Sequence, residues 1–148
     1  MTEQELKAFI HVVTHYFESV SGEASAMGLP SIKRPDARLL DFTGAIGISG
    51  ARKGAVYFTA PRALLTEFAE FMLGEGVSDD ESLYDLVGEM TNTIAGNVRE
   101  TFGPEFMISV PIIVKGTLTD IMIKLSQPVF LVPIEWRSHR CFLAVGLE

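Results

Sequence analysis

Asp85, Glu89 and Asn92 stand four and three residues apart, and Gly96 lies four further on. At roughly 100° per residue these steps return to one face of an α-helix. A carboxylate one turn from a carboxamide is a set that can do chemistry. Glu89 accepts a charge-assisted hydrogen bond from a cation, and the Asn92 amide both donates and accepts. Gly96 leaves a flat place on the same face. Glycine inside a helix costs about 1 kcal/mol relative to alanine, and close approach of a partner backbone is a reason to carry it. On pattern alone this is a polar helix face, and most such faces are simply solvated.

The helix that must carry these residues runs over about 79–102. Leu83, Leu86, Val87, Met90, Ile94 and Val98 form its apolar stripe, opposite Asp85, Glu89 and Asn92. Ser78-Asp79-Asp80-Glu81 reads as a capping box, with the Ser78 hydroxyl and the Glu81 carboxylate each satisfying an orphan amide. Acids in the first turn also complement the helix dipole. An earlier helix over 3–20 carries Leu6, Ile10, Val13, Phe17 and Val20 and ends near Gly22. A loop with Gly28, Pro30 and Pro35 follows, then extended chain over 36–49, a turn over 49–54 and a strand over 55–59. Pro61 suits the start of a short helix that stops at Gly74. Beyond Phe102-Gly103-Pro104 the period turns strand-like, with strands near 106–115, 118–126, 128–134 and 139–147. The order helix–strand–strand–strand is read twice, as two pseudo-duplicated halves. The expectation is one domain over 1–148 of α+β class, a largely antiparallel sheet with long helices packed on it.

Composition removes several function classes. With 47% hydrophobic residues in 148 the chain can bury a core without staples. The single cysteine, Cys141, leaves no internal disulfide or Cys-based zinc site and suits a reducing cytoplasm. The net charge of −7 and scattered Lys and Arg speak against nucleic acid and against an anionic membrane. The polar start MTEQELKAF is no signal peptide, and no apolar run is long enough to span a membrane. His11 and His15 have chelating spacing but no third ligand, so no metal site is assigned. His139 sits in a turn without a Ser or Cys partner. Trp136 is read as a cap on the core.

The sequence DLVGEMTNTIAGNVRE, with Asp85-x-x-x-Glu89-x-x-Asn92, is followed by a strand in which ISVP ends at Pro111. This resembles the CheC/CheX family of chemotaxis phosphatases. Their pattern is an acid or serine, three residues, glutamate, two residues, asparagine, then a distant proline. The stretch GAVYFTAPRALL and the order of elements along nearly the whole chain look alike too. Pro111 follows Asn92 by 19 residues, a few fewer than the family usually shows. On the first helix the register Thr14-x-x-x-Glu18-x-x-Ser21 reads as the pseudo-symmetric counterpart, with Ser21 where an amide is needed. One intact helix per chain places the resemblance nearest CheX.

The resemblance implies hydrolysis of the phosphoaspartate of a CheY-like response regulator, in chemotaxis or a related two-component circuit. Asn92 would hold the attacking water in line with phosphorus, as a glutamine does in GTPases. Glu89 would bind the regulator's active-site lysine, Asp85 would make a peripheral contact, and Gly96 would let the helix sit close. The chain needs no cofactor of its own, because Mg²⁺ arrives with the phosphorylated regulator. A homodimer through sheet edges is also implied, with the strands within 129–135 and 141–147 as candidate edges. Two other functions compete: a non-catalytic CheC-like adaptor or switch module that binds a response regulator, and a small-molecule-binding domain, for which no convergent polar set is visible.

Overall fold

The computed structural model describes residues 1–33, 39–115 and 128–148. The predicted strand over 118–126 and part of the predicted extended chain over 36–49 lie outside the described residues. Among the described residues three helices, α1 (Glu3–Ser21), α2 (Arg62–Leu73) and α3 (Asp80–Phe102), join eight strands. The strands are β1 (Ala26–Met27), β2 (Ser31–Ile32), β3 (Phe42–Gly50), β4 (Gly54–Ala60), β5 (Phe106–Ile108), β6 (Ile112–Lys115), β7 (Phe130–Trp136) and β8 (His139–Leu147). They form one antiparallel sheet in the order β1-β7-β8-β4-β3-β5, with β2 also on β7 and β6 also on β3. The α+β class with helices on an antiparallel sheet is as expected.

Strand alternation decides which face receives the helices. Val56, Phe58 and Ala60 of β4 and Cys141, Leu143, Val145 and Leu147 of β8 enter the large core with Phe9, Val13 and Phe17 of α1 and Leu83, Val87, Met90, Ile94 and Val98 of α3. Tyr57 and Ala144 point the other way and pack with Leu39. Cys141 is fully buried, and that burial pushes its thiol pKa up, so it is a packing residue.

The helix ends differ in detail from the sequence expectation. α3 starts on Asp79, not Ser78: the Asp79 carboxylate accepts from the Ser82 amide at 3.0 Å, and its charge suits the helix N-terminus better than a hydroxyl does. That amide bond holds the Asp79 carboxyl below its usual pKa. The Ser78 carbonyl accepts instead from Arg62 at 2.8 Å. A capping box does exist, at α1, where Thr2 and Glu5 exchange bonds of 3.1 and 2.8 Å. Gly22 and Gly74 end α1 and α2 in the left-handed conformation, with φ of 74° and 75°.

Strands β7 and β8 are joined by a two-residue turn in which Arg137 and Ser138 have φ of 50° and 64°. Arg137 is held there by ion pairs to Glu23 and Glu67 and by stacking on Trp136 and Phe71. His139 pairs with the same Glu67, and that bond is the main reason the Glu67 carboxyl sits below its usual pKa. Trp136 is fully buried, as a core residue should be, and donates its indole N–H to Ser21 Oγ at 3.1 Å.

Two expectations are corrected. The predicted strand over 106–115 is two strands with a break at Ser109-Val110-Pro111, because the proline cannot donate to the ladder. The segments within 129–135 and 141–147 are not sheet edges: β8 lies between β4 and β7, and β7 lies between β8 and β1/β2. Among the described residues the outer strands are β1/β2 and β5/β6.

The pseudo-duplication is present and interlocked. α1 leads into β1/β2, β3 and β4, while α3 leads into β5/β6, β7 and β8. The first strand of each half pairs with the second strand of the other, since β1/β2 lie on β7 and β5/β6 lie on β3.

Candidate functional site

α3 lies close to the sheet, and two glycines make room for it. A Cβ on Gly44 of β3 would run into Thr91 Oγ1 and approach the Val87 carbonyl oxygen to 3.2 Å. Thr91 turns inward and donates to that same carbonyl at 2.7 Å. A Cβ on Gly88 would come within 2.9 Å of Ile113 Cδ1, so Gly88 lets β6 tuck against the helix. The apolar stripe then sits fully in the core, and Asp85, Glu89 and Asn92 are left exposed on the opposite side. Among the described residues no hydrogen bond or ion pair engages these three side chains.

A groove of about 560 Å³ runs along this face, lined by Asp85, Gly88, Glu89, Asn92, Val110 and Pro111 together with Tyr84 and Ile113. The structure therefore brings Asp85, Glu89, Asn92 and Pro111 together. The short spacing to the proline is no obstacle, because the Ser109–Pro111 break carries it to the helix. Gly96 does not line this groove. It borders a neighbouring depression with Arg99 and Ile108, and nothing lies within 4 Å of a Cβ placed on it, so packing inside the chain does not require a glycine there.

Asp85 and Glu89, with Ser82 and Leu86 of the same helix, also border a second groove, of about 390 Å³, with Met72 and Leu73 of α2 on its other side. Beneath it Tyr16 of α1 donates its hydroxyl to Met72 Sδ at 3.4 Å. Burial pushes the Tyr16 pKa up, and the Glu89 charge adds to the shift. The phenol is thus a neutral donor near the root of Glu89. On the flank near β6, Tyr84 packs on Phe42 with centroids 4.7 Å apart and carries the Lys115 ammonium over its ring. These aromatic supports, and Gly88, were not singled out by sequence spacing; the helical period puts Tyr84 and Gly88 on the edge of the stripe, neither core nor crest.

The break at Ser109-Val110-Pro111 is a β-bulge. Between the pairs Ile48↔Ile108 and Ala45↔Ile112, three residues oppose two, Ile46 and Gly47. The other half repeats it. Between Met27↔Ile134 and Ser31↔Leu131, Gly28, Leu29 and Pro30 oppose Val132 and Pro133. Val110 and Leu29 are both pushed into solvent, 83% and 88% exposed. The backbone bonds correspond too: Ser109 N–H donates to Gly47 O at 3.0 Å and Gly28 N–H to Pro133 O at 2.8 Å.

That correspondence corrects the register read on the first helix. Gly22 and Gly103 both cap by donating to a carbonyl four residues back, Glu18 and Arg99. Counting from these caps aligns Phe9, Val13 and Phe17 with Met90, Ile94 and Val98, all buried. The counterparts of Glu89 and Asn92 are then Ala8 and His11, not Glu18 and Ser21. Ser21 is buried, donates to Phe17 O at 2.7 Å and accepts from Trp136. His11 and His15 stack in the open at 5.9 Å. Among the described residues no three His, Cys, Asp or Glu side chains gather as a metal site would need, and no helix is long and apolar enough to cross a membrane.

Comparison with known proteins supplies a family. A family model described as chemotaxis phosphatase CheX matches residues 42–135. No curated protein matches the chain. Among solved structures, a CheC-like superfamily protein from Shewanella sp. PV-4 is 27% identical with a TM-score of 0.87, covering 100% of this chain and 99% of that one. Chemotaxis protein CheX from Vibrio vulnificus is 25% identical, with a TM-score of 0.87 and coverage of 98% and 99%. The CheX of a CheX–CheY–BeF3–Mg²⁺ complex from Borrelia burgdorferi shares the fold at 19% identity and a TM-score of 0.78, with 97% of each chain covered.

Proposed function

From the premise that this chain belongs to the CheX family of chemotaxis phosphatases, we propose that it hydrolyses the aspartyl phosphate of a CheY-like response regulator. The observation that carries the reading is the exposed pair Glu89 and Asn92 on one groove, walled by Pro111. The Borrelia relative in complex with CheY supports a response regulator as the partner. On this reading the work lies in the cytoplasm, where such regulators act.

An acyl phosphate is already activated, and its regulator brings a lysine and Mg²⁺ to the phosphoryl group. That ion belongs to the substrate and offsets its charge. What this chain adds is position. Asn92 accepts a proton of a water with its carbonyl oxygen or donates to the water oxygen with its amide, so one side chain fixes both place and orientation. In a loose transition state, orientation matters more than proton removal. Glu89 binds the regulator's lysine, and this sets the register of Asn92 one turn away. Asp85 stands at the rim as a peripheral contact, and Gly96 allows the partner close beside it.

The homodimer implied by the resemblance then uses an outer strand pair, β1/β2 or β5/β6, where Met27, Ile32, Met107 and Ile112 are exposed; light scattering reads it directly. The catalytic proposal is tested by phosphate release from a panel of receiver domains phosphorylated with acetyl phosphate. Acceleration that disappears in Asn92→Ala is expected. No acceleration with any regulator, while binding persists, would leave a non-catalytic adaptor.

A further inference from the structure

We propose that Ser109 is a positioning residue, whose hydroxyl locks the β-bulge that forms the second wall of the groove against Asn92. Ser109 does not line the groove, but the next two residues, Val110 and Pro111, do. Its hydroxyl accepts the Gly47 N–H at 2.9 Å and donates to the Val110 carbonyl at 3.0 Å. With the Ser109 N–H on Gly47 O, the bulge is therefore tied to β3 from both directions and tied to itself at its apex.

The other half shows that a bulge of this shape does not need the lock. There Gly28 stands for Ser109 and Pro133 for Gly47, so both the hydroxyl and the N–H that it would satisfy are missing. The two losses go together. A proline without an N–H leaves no orphan donor, and its ring leaves no room for a serine, since a Cβ on Gly28 would lie 2.8 Å from Pro133 Cγ. The helix facing that bulge carries Ala8 and His11 in place of Glu89 and Asn92. The hydroxyl lock is found on the side that holds the water-orienting amide and is absent from the side that does not. A bulge re-aims the residues at its apex, and an apex free to rock would leave the wall beside Asn92 unfixed.

The inference rests on the proposed role of Asn92. Its test compares Ser109→Ala and Ser109→Thr with the unmodified chain in steady-state phosphate release. It also records the Asn92 side-chain amide signals of the ¹⁵N-labelled protein. Loss of the hydroxyl's two exposed hydrogen bonds predicts roughly a fivefold to tenfold fall in kcat in Ser109→Ala, with KM for the regulator nearly unchanged. Ser109→Thr, which keeps the hydroxyl, restores kcat, and the Asn92 signals shift only in the alanine variant. An unchanged kcat, a threonine variant that folds but does not recover, or unmoved Asn92 signals overturns the proposal. If the unmodified chain accelerates no regulator, the phosphatase reading fails by itself. The Asn92 signals then decide alone: shifted in Ser109→Ala, they uphold the lock; unmoved, they dispose of it.

Discussion

Counted back from their cap glycines, Ala8 and His11 of α1 occupy the places that Glu89 and Asn92 hold on α3. The buried stripes of the two helices coincide at Phe9/Met90, Val13/Ile94 and Phe17/Val98, while the outward faces differ. The sheet beneath them differs in parallel. Gly44 lets α3 come close to β3, whereas Phe130 of β7 takes the corresponding place under α1, and Ser109 with Gly47 is replaced by Gly28 with Pro133. The core constrains both halves equally, because each stripe must fill the same shared interior. Nothing in the packing constrains the outward faces, so they record use. The comparison teaches that the site is more than two side chains on a helix: it includes how near the helix lies and how firmly the opposite wall is held.

The comparison breaks first at Asn92. Asn92→Ala should lower catalysed phosphate release by about 100-fold or more, since orientation is what the residue supplies, while regulator binding by titration stays near its original strength. Retained activity would make α3 as silent as α1. Glu89→Lys should raise the Kd for the phosphorylated regulator roughly tenfold to a hundredfold, the worth of a charge-assisted bond, measured by calorimetry. Gly44→Ala should cost about 2–3 kcal/mol in denaturant unfolding, because the new methyl meets Thr91 and the Val87 backbone with no flexible end to yield. Ser21→Ala should cost roughly 1–2 kcal/mol by stranding the Trp136 indole N–H, with kcat untouched, which would mark the end of α1 as purely structural. The smallest effect sharpens the contrast most. Ala8→Glu combined with His11→Asn should add little phosphate release to an Asn92→Ala background; recovery there would show that the helix pair suffices without a close helix or a locked bulge.

Much of this was legible before the structure. The stripe from Leu83 to Val98 left only one face for Asp85, Glu89 and Asn92, and the helical period is a strong signal over 23 residues. The β7–β8 hairpin was legible from its flanking apolar strands, although its turn uses Arg137 and Ser138 rather than the residues that favour positive φ. What could not be read were features made by pairing. Strands β1 and β2 have two residues each and exist because β7 offers them a ladder; as sequence they are a loop with glycine and proline. The bulges are offsets between two strands and have no signature in either alone. The Thr14–Glu18–Ser21 register went astray for a related reason: residue spacing on one helix cannot say where the other helix begins relative to the sheet. Ser78 and Asp79 are both good caps, and the choice fell to the carboxylate, with the Ser78 carbonyl drawn to Arg62.

The crossed strands carry a consequence for how the molecule comes into being. Because β1/β2 need β7 and β5/β6 need β3, a chain emerging from the ribosome cannot finish its first half before its second is made. Pairings this distant in sequence are slow to close, and until then a partly built sheet shows open borders to other chains. Severed in the segment between α2 and α3, the two pieces should each remain unstructured and recover the fold only when mixed, so that the half with Ala8 and His11 stays obligatory for the half with Glu89 and Asn92.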